Sequence, residues 1–299
     1  MIPERFPATK IPQSQFRILV QQFEGSMRFA SGATRHVYRK ALDQLVAFAK
    51  GNSFKFTPDD FSQFRLWLLN GRKLSNNTVN TYMTASRRFC EFLVDMGVLQ
   101  KNPAWSVHGS AQTFKIMGVS LSEVTEAISK IDRTSLLGKR DYAFASVIFE
   151  CGTTISELIN ADLGDLKRKG EAVELWVKPK GMRGRYEVIR VTTPASAALY
   201  DYIDARGDVG ADYALFTTVR AGRSTKTRIS FRGARAAMRK RLRIDEQRAL
   251  RLDSLRTYCA VRLMKQGRTS EEIRSFMRFK SNMPFRKIMA NSKATAEKR

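Results

Sequence analysis

Apolar and polar residues alternate in one stretch of this chain, residues 172–192, whereas the windows on either side repeat apolar residues at helical spacing. Val173, Leu175 and Val177 lead into the run Lys178-Pro179-Lys180-Gly181-Met182-Arg183-Gly184-Arg185, and Val188 and Val191 lead out of it. Period-two segments around a basic, glycine-containing turn predict a β-hairpin. Elsewhere the pattern predicts helices. Residues 14–28 carry Phe16, Leu19, Val20 and Phe23 on one face, and residues 34–50 repeat Val37, Tyr38, Ala41, Leu42, Leu45, Val46 and Ala49. Thr57-Pro58-Asp59-Asp60 reads as a helix start, with a hydroxyl cap, proline in the first turn and two acids beside the positive end of the helix dipole.

A fourth helix over 77–96 stripes Val79, Tyr82, Met83, Ser86, Phe89, Cys90 and Leu93, leaves Arg87 and Arg88 outside the stripe, and ends at Gly97 and Asn102-Pro103. Residues 104–119 lack periodicity, and Ser120-x-x-Glu123 is a capping box that opens a second domain. Residues 140–150 are apolar on all sides, so their helix is expected at the centre of a core. Helices return over 194–205, 229–243, 252–266 and 269–279. The expected fold is mainly α with a small antiparallel β-sheet: a helical bundle over 1–105, a linker over 106–117 and an α+β domain over 118–299.

Charge separates the two ends from the middle. The chain has 53 Lys and Arg against 28 Asp and Glu, a formal net charge of +25. Residues 1–105 hold 15 basic and 7 acidic side chains, and residues 220–299 hold 24 and 6, which leaves the intervening stretch near neutral. A concentrated excess of this kind suits a polyanion, because each neutralised phosphate releases condensed counterions. A merely solvated surface is the alternative. No apolar run reaches the roughly 18 residues of a membrane span, Met1 to Lys10 has no hydrophobic signal core, and no basic amphipathic helix at either end suits an acidic membrane. Cys90, Cys151 and Cys259 lie far apart among apolar neighbours. With neither a disulfide framework nor zinc spacing, they point to the cytoplasm and to no metal or cofactor.

These pieces, in this order, resemble the tyrosine recombinase (phage integrase) family over nearly the whole chain. The run Leu74-Ser75-Asn76-Asn77-Thr78-Val79-Asn80-Thr81-Tyr82, with Phe89, Phe92, Leu93 and Asn102-Pro103, is similar to the last helix and exit of that family's core-binding domain, a SAM-like bundle. Cys151-Gly152-Thr153-Thr154-Ile155-Ser156-Glu157-Leu158 stands where the family usually reads Thr-Gly-Leu-Arg-Ile-Ser-Glu-Leu, with Asp165 downstream. Lys180-Gly181 and Arg185 resemble the basic hairpin of its catalytic lysine, and Leu252-Asp253-Ser254-Leu255-Arg256-Thr257 resembles its His-x-Leu-Arg-His box. Its next box, usually Leu-Gly-His, reads Met277-Arg278-Phe279. The resemblance implies a catalytic-type α+β domain after the bundle.

Members of that family cleave DNA by attack of a tyrosine hydroxyl on a backbone phosphodiester. The chemistry needs a nucleophile, cations on the anionic transition state and an acid for the leaving oxygen. Arginine suits the clamp because its fork donates two parallel bonds to phosphate oxygens. Carried over position by position, the first arginine falls on Thr154, the lysine on Lys180 with Lys178 as the nearest substitute, and the second arginine on Arg256. The first histidine falls on Asp253, the second on Phe279 and the tyrosine near Ile288. No tyrosine follows Tyr258, and the two histidines are His36 and His108. Losing one preorganised charge donor alone costs about 10²–10³ in rate, so the expectation is a chain that is not an enzyme. Tyr258 is either an unconventional nucleophile or a core residue packed with Val261 and Met264. Arg256 either contacts phosphate or pairs internally with Asp253 or Glu157.

The favoured expectation is non-catalytic binding of double-stranded DNA by a two-domain clamp, in a regulatory or architectural role. Such a protein is cytoplasmic and nucleoid-associated, belongs with mobile elements, and self-associates or pairs with an active recombinase on DNA. Phosphate contacts are expected from Arg35, Arg39, Arg87 and Arg88 in the first domain. In the second they are expected from Lys180, Arg183, Arg185, Arg223, Lys226, Arg228, Arg232, Arg235 and Arg256. The alternatives are an active site-specific recombinase and a protein or RNA interaction module on the same fold.

Overall fold

A computed structural model describes residues 11, 13–28, 30–50, 54–109, 118–179, 186–207, 210–279, 285 and 288. The chain divides into two compact units, residues 1–113 and 114–299, each with its own apolar core. No helix among the described residues is long and apolar enough to cross a membrane.

In the first unit, α1 (Gln13–Ser26), α2 (Gly32–Lys50), α3 (Pro58–Leu66) and α4 (Asn76–Asp95) turn their apolar stripes inward. Phenylalanines fill the centre: Phe61, Phe64 and Phe89 are fully buried, and Phe54 meets Phe56 edge-on with ring centroids 4.9 Å apart. Such ring pairs add about 0.5–1.5 kcal/mol beyond the area they bury. The expected cap on α3 closes reciprocally, Thr57 Oγ1 accepting from Asp60 N at 3.2 Å and Asp60 Oδ2 from Thr57 N at 2.8 Å. Gly97, at φ 70°, ends α4 in the left-handed conformation that glycine adopts without penalty.

Arg87 does not project from α4 as expected. Its Nε donates to the carbonyl of Ala104 at 3.1 Å and its Nη2 to that of Val107 at 2.7 Å, while Asn102 Nδ2 donates to the Arg87 carbonyl at 2.8 Å. These bonds fasten the segment after α4 to the bundle and bury Val107 in its core. The packed chain therefore runs past residue 105, and residues 110–117 of the expected linker lie outside the described residues.

In the second unit, α5 (Leu121–Ser129), α6 (Leu136–Cys151) and α7 (Ile155–Asn160) precede a three-stranded antiparallel sheet in the order β1 (Leu166–Lys169), β2 (Ala172–Val177), β3 (Glu187–Val191). The expected hairpin is β2 with β3, in the register Val173↔Val191 and Leu175↔Ile189. Its basic tip, with Lys180, Arg183 and Arg185, lies outside the described residues. Then come α8 (Thr193–Arg206), the paired strands β4 (Thr217–Arg220) and β5 (Arg223–Arg228), α9 (Phe231–Arg241), α10 (Leu252–Lys265) and α11 (Ser270–Phe276).

Helix α6 is central, as its composition predicts, with Phe144, Val147 and Ile148 buried. It also buries an ion pair, Arg140 Nη2 to Asp141 Oδ1 at 2.6 Å, with Arg140 Nη1 donating to the Thr217 carbonyl at 3.1 Å. Burial raises the Asp141 carboxyl above its ordinary range, against the pull of Arg140. All three cysteines are free thiols and buried, and burial raises each of them, Cys259 to about 12.

Candidate nucleic-acid interface

The centre of the second unit is built where α6 hands over to α7 and where α11 ends. Gly152 caps α6 at φ 62°, where a Cβ would lie 2.6 Å from Met277 Sδ, so close packing and backbone geometry both require glycine there. Two residues later Thr154 caps α7, its Oγ1 accepting from Glu157 N at 3.2 Å while Glu157 Oε2 accepts from Thr154 N at 2.6 Å. The hydroxyl at the position of the resemblance's first arginine is thus spent on the helix start. Glu157 is buried, and the same Oε2 accepts from Arg278 Nη2 at 2.8 Å. Arg278 Nε approaches Glu187 Oε2 at 3.4 Å.

Arg256, on α10, is half-buried beside this group. Its Nη2 donates to the Met277 carbonyl, and its guanidinium lies over the Phe279 ring, 5.1 Å from the centroid. Burial lowers its pKa from the ordinary arginine value; the charge of Glu157 opposes that, and Arg278 adds to it. Neither internal ion pair expected for Arg256 is its described hydrogen bond. Asp253 pairs instead with Arg235 of α9, and Glu157 with Arg278. Of the matched positions, Thr154, Arg256 and Phe279 therefore gather around Glu157 and Arg278. Asp253 is committed to Arg235, and Ile288 is buried in a cluster with Cys259, Leu263 and Met277. Tyr258 is a core residue: its hydroxyl donates to the Val119 carbonyl at 2.7 Å, and burial pushes its pKa up to about 12.

The expected phosphate contacts divide by what holds them. Arg35, Arg223 and Arg232 are exposed with no ion pair among the described residues, and Lys226 lies over the Tyr213 ring, 5.3 Å from the centroid. Arg39 pairs with Glu24 at 3.1 Å and Arg88 with Glu91 at 2.7 Å, both on the surface, where such pairs contribute little and yield readily to another anion. Arg228 is a correction like Arg87: it pairs with Asp162 and donates to the Ala161 carbonyl at 2.9 Å, bracing β5 against the end of α7. Arg235 was expected among the contacts, but the other four arginines that stand with it were not. Arg235, Arg239, Arg243, Arg248 and Arg251 line a cleft of about 640 Å³ between α9 and the start of α10. Part of its signal was present in the spacing Arg235, Arg239, which puts two guanidiniums one turn apart on the same helix face.

No protein-family model matches the chain. Among curated proteins it is similar to tyrosine recombinase XerC of Herpetosiphon aurantiacus, 27% identical over 209 residues that cover 67% of each chain. It is similar also to tyrosine recombinase XerC of Psychromonas ingrahamii, 27% identical over 221 residues, 72% of this chain and 71% of that one. Among solved structures it resembles XerH site-specific recombinase bound to palindromic difH substrate, with a TM-score of 0.66 and 15% identity over 92% of this chain and 80% of that one. A lambda integrase dimer bound to a COC′ core site gives 0.64 and 11%, over 89% and 95%. The fold is that of the tyrosine recombinases and integrases, mostly helical with small antiparallel sheets. The chain resembles these proteins in sequence as well. One expectation is overturned by these likenesses: the relatives are named tyrosine recombinases, which are enzymes, so the expectation that the chain is not an enzyme does not stand.

Proposed function

We propose that this chain binds duplex DNA in a DNA recombination process, through the arginine-lined cleft and the exposed basic residues of β5 and α9. The single observation that carries the reading is the cleft itself. Five arginines converge there, with Glu246 and Asp253 the only carboxylates among its lining residues. Asp253 pairs with Arg235 and Asp245 with Arg248, yet arginines outnumber the carboxylates of the lining, and a wall of this charge in a chain of +25 attracts a polyanion. XerH was captured on its difH substrate and lambda integrase on a COC′ core site, which agrees with the same ligand here. Arg35 and the surface-paired Arg39 and Arg88 supply contacts from the first unit, and Lys180, Arg183 and Arg185 supply contacts from the hairpin.

Anisotropy of a labelled duplex, read across a salt series, tests this. On B-DNA the log K against log salt slope falls in magnitude by about 0.9 for each phosphate contact removed. Arg232→Ala and Arg239→Ala are each expected to weaken binding to all sequences alike and to lower the slope by that amount. Equal or tighter binding of RNA or of an acidic protein, with no such slope on duplex, would sink the reading in favour of another polyanion.

Strand transfer is a second reading, favoured by the names of the relatives. Its nucleophile comes from a group other than Tyr258, whose hydroxyl is bonded inside the core, or from a second recombinase paired on the same DNA. Nicked suicide substrates distinguish the two sources. A covalent adduct mapped by its attached peptide names a residue of this chain; an adduct formed only with an added recombinase names the partner.

A further inference from the structure

We propose that the arginine-lined cleft between α9 and α10 is also the site of a compact polyphosphate, either inorganic tripolyphosphate or the triphosphate of a nucleotide, whose binding releases duplex DNA. The release rests on duplex DNA occupying the same cleft and deepens that reading; the polyphosphate site stands without it. The cleft is built on a braced loop. Leu250 N donates to the Leu242 carbonyl at 2.7 Å and Ile244 N to the Arg248 carbonyl at 2.9 Å, and Arg243 pairs in a bridge with Ala249. Residues 242–250 therefore fold back as a tight hairpin. Asp245 closes its turn, Oδ1 accepting from Arg248 N at 2.7 Å and from Gln247 N at 3.0 Å. Arg243 and Arg251 stand on the two legs of this loop and Arg239 in the last turn of α9, and all three line one cleft of about 640 Å³.

Charge selects the ligand. Of the five arginines, Arg235 is held by Asp253 and Arg248 by Asp245. Arg239, Arg243 and Arg251 are exposed and have no ion pair among the described residues. Arg243 Nη2 donates to the Glu246 carbonyl, which fixes that guanidinium without neutralising it. The Glu246 carboxylate, which has no ion pair among the described residues either, sets one negative charge against these three positive ones. A DNA phosphodiester carries a single negative charge, and the sugars on either side keep its neighbours out of a concave site. A duplex that lowers one phosphate into the cleft leaves guanidiniums unmatched. Directly linked phosphates bring several charges and many acceptor oxygens into one small volume, where each fork takes two parallel bonds. The size agrees, since small-molecule sites span about 300–1,000 Å³.

The test uses the full chain without divalent cations and at constant ionic strength, with melting curves to establish folding. Inorganic tripolyphosphate, titrated in a calorimeter, is expected to bind saturably at one site. It is expected to displace a labelled duplex at concentrations at which orthophosphate leaves the duplex bound. Arg239→Ala and Arg251→Ala should each weaken tripolyphosphate about tenfold, the loss of one charge-assisted contact, and Glu246→Gln should tighten it. Arg232→Ala, on α9 but outside the cleft lining, should weaken duplex and leave tripolyphosphate binding as in the parent. Tighter binding of ATP than of tripolyphosphate assigns the site to a nucleotide; equal or weaker binding assigns it to the bare polyphosphate chain. Equal displacement by orthophosphate overturns the proposal, and so does undiminished tripolyphosphate binding by the folded double variant Arg239→Ala with Arg251→Ala. If tripolyphosphate fills the cleft and the parent chain shows no salt-dependent duplex binding, the DNA reading fails and the polyphosphate site stands. If both bind and neither displaces the other, duplex lies outside the cleft and the release is overturned.

Discussion

Tyr258 has two measurable consequences of its burial. Its folded pKa of about 12 exceeds the ordinary value of 10.0, so the phenol keeps its proton in the folded chain after the unfolded chain has lost it. The stability this provides is fully present below pH 10 and is lost as pH rises through 12. Denaturant melts across that window should show the loss, and Tyr258→Phe should flatten it. The same variant leaves the Val119 carbonyl without its donor, at a cost of about 1–3 kcal/mol, and should leave duplex affinity unchanged. An altered affinity would place the hydroxyl at the interface. Asp253 behaves oppositely. Its carboxylate restrains Arg235 at the mouth of the basic cleft. Asp253→Asn should therefore tighten duplex binding while changing stability by no more than about 0.5 kcal/mol.

At the scale of elements, Gly152 decides how α6 hands over to α7. Gly152→Ala forces an L residue to φ 62° and drives its Cβ into Met277, so a loss of about 1 kcal/mol or more is expected in thermal melts. Because Met277 also accepts from Arg256, duplex affinity should fall with it. Much of this layer is legible in the sequence, since caps and periodicity are local signals. Thr57 and Ser120 each open the helix their spacing announces, and Val173, Leu175 and Val177 alternate into the core as written. Strands β1 and β4–β5 escape that reading. Leu-Lys-Arg-Lys and Arg-Ser-Thr-Lys-Thr-Arg have no apolar alternation, and these strands are held by ladder bonds and threonine hydroxyls such as Thr217 Oγ1 to Ser224 Oγ at 2.8 Å. Partners distant in sequence escaped likewise: nothing near Arg87, Arg228 or Arg278 announces the carbonyl or carboxylate each one meets.

Across the whole molecule, two separately cored units joined in one chain should bind DNA more tightly than either half. The first contact raises the effective concentration of the second. Residues 118–299 alone are therefore expected to lose affinity by at least tenfold in the same anisotropy assay, and equal affinity would confine binding to the second unit. The buried cysteines make the two units separately observable. Cys90 lies in the core of the first, and Cys151 and Cys259 in those of the second, each with its thiolate suppressed by burial. A thiol reagent should then modify the native chain only as fast as each unit opens. Alkylation rates, read peptide by peptide, become a stopwatch on each half, and duplex that grips both should slow all three together.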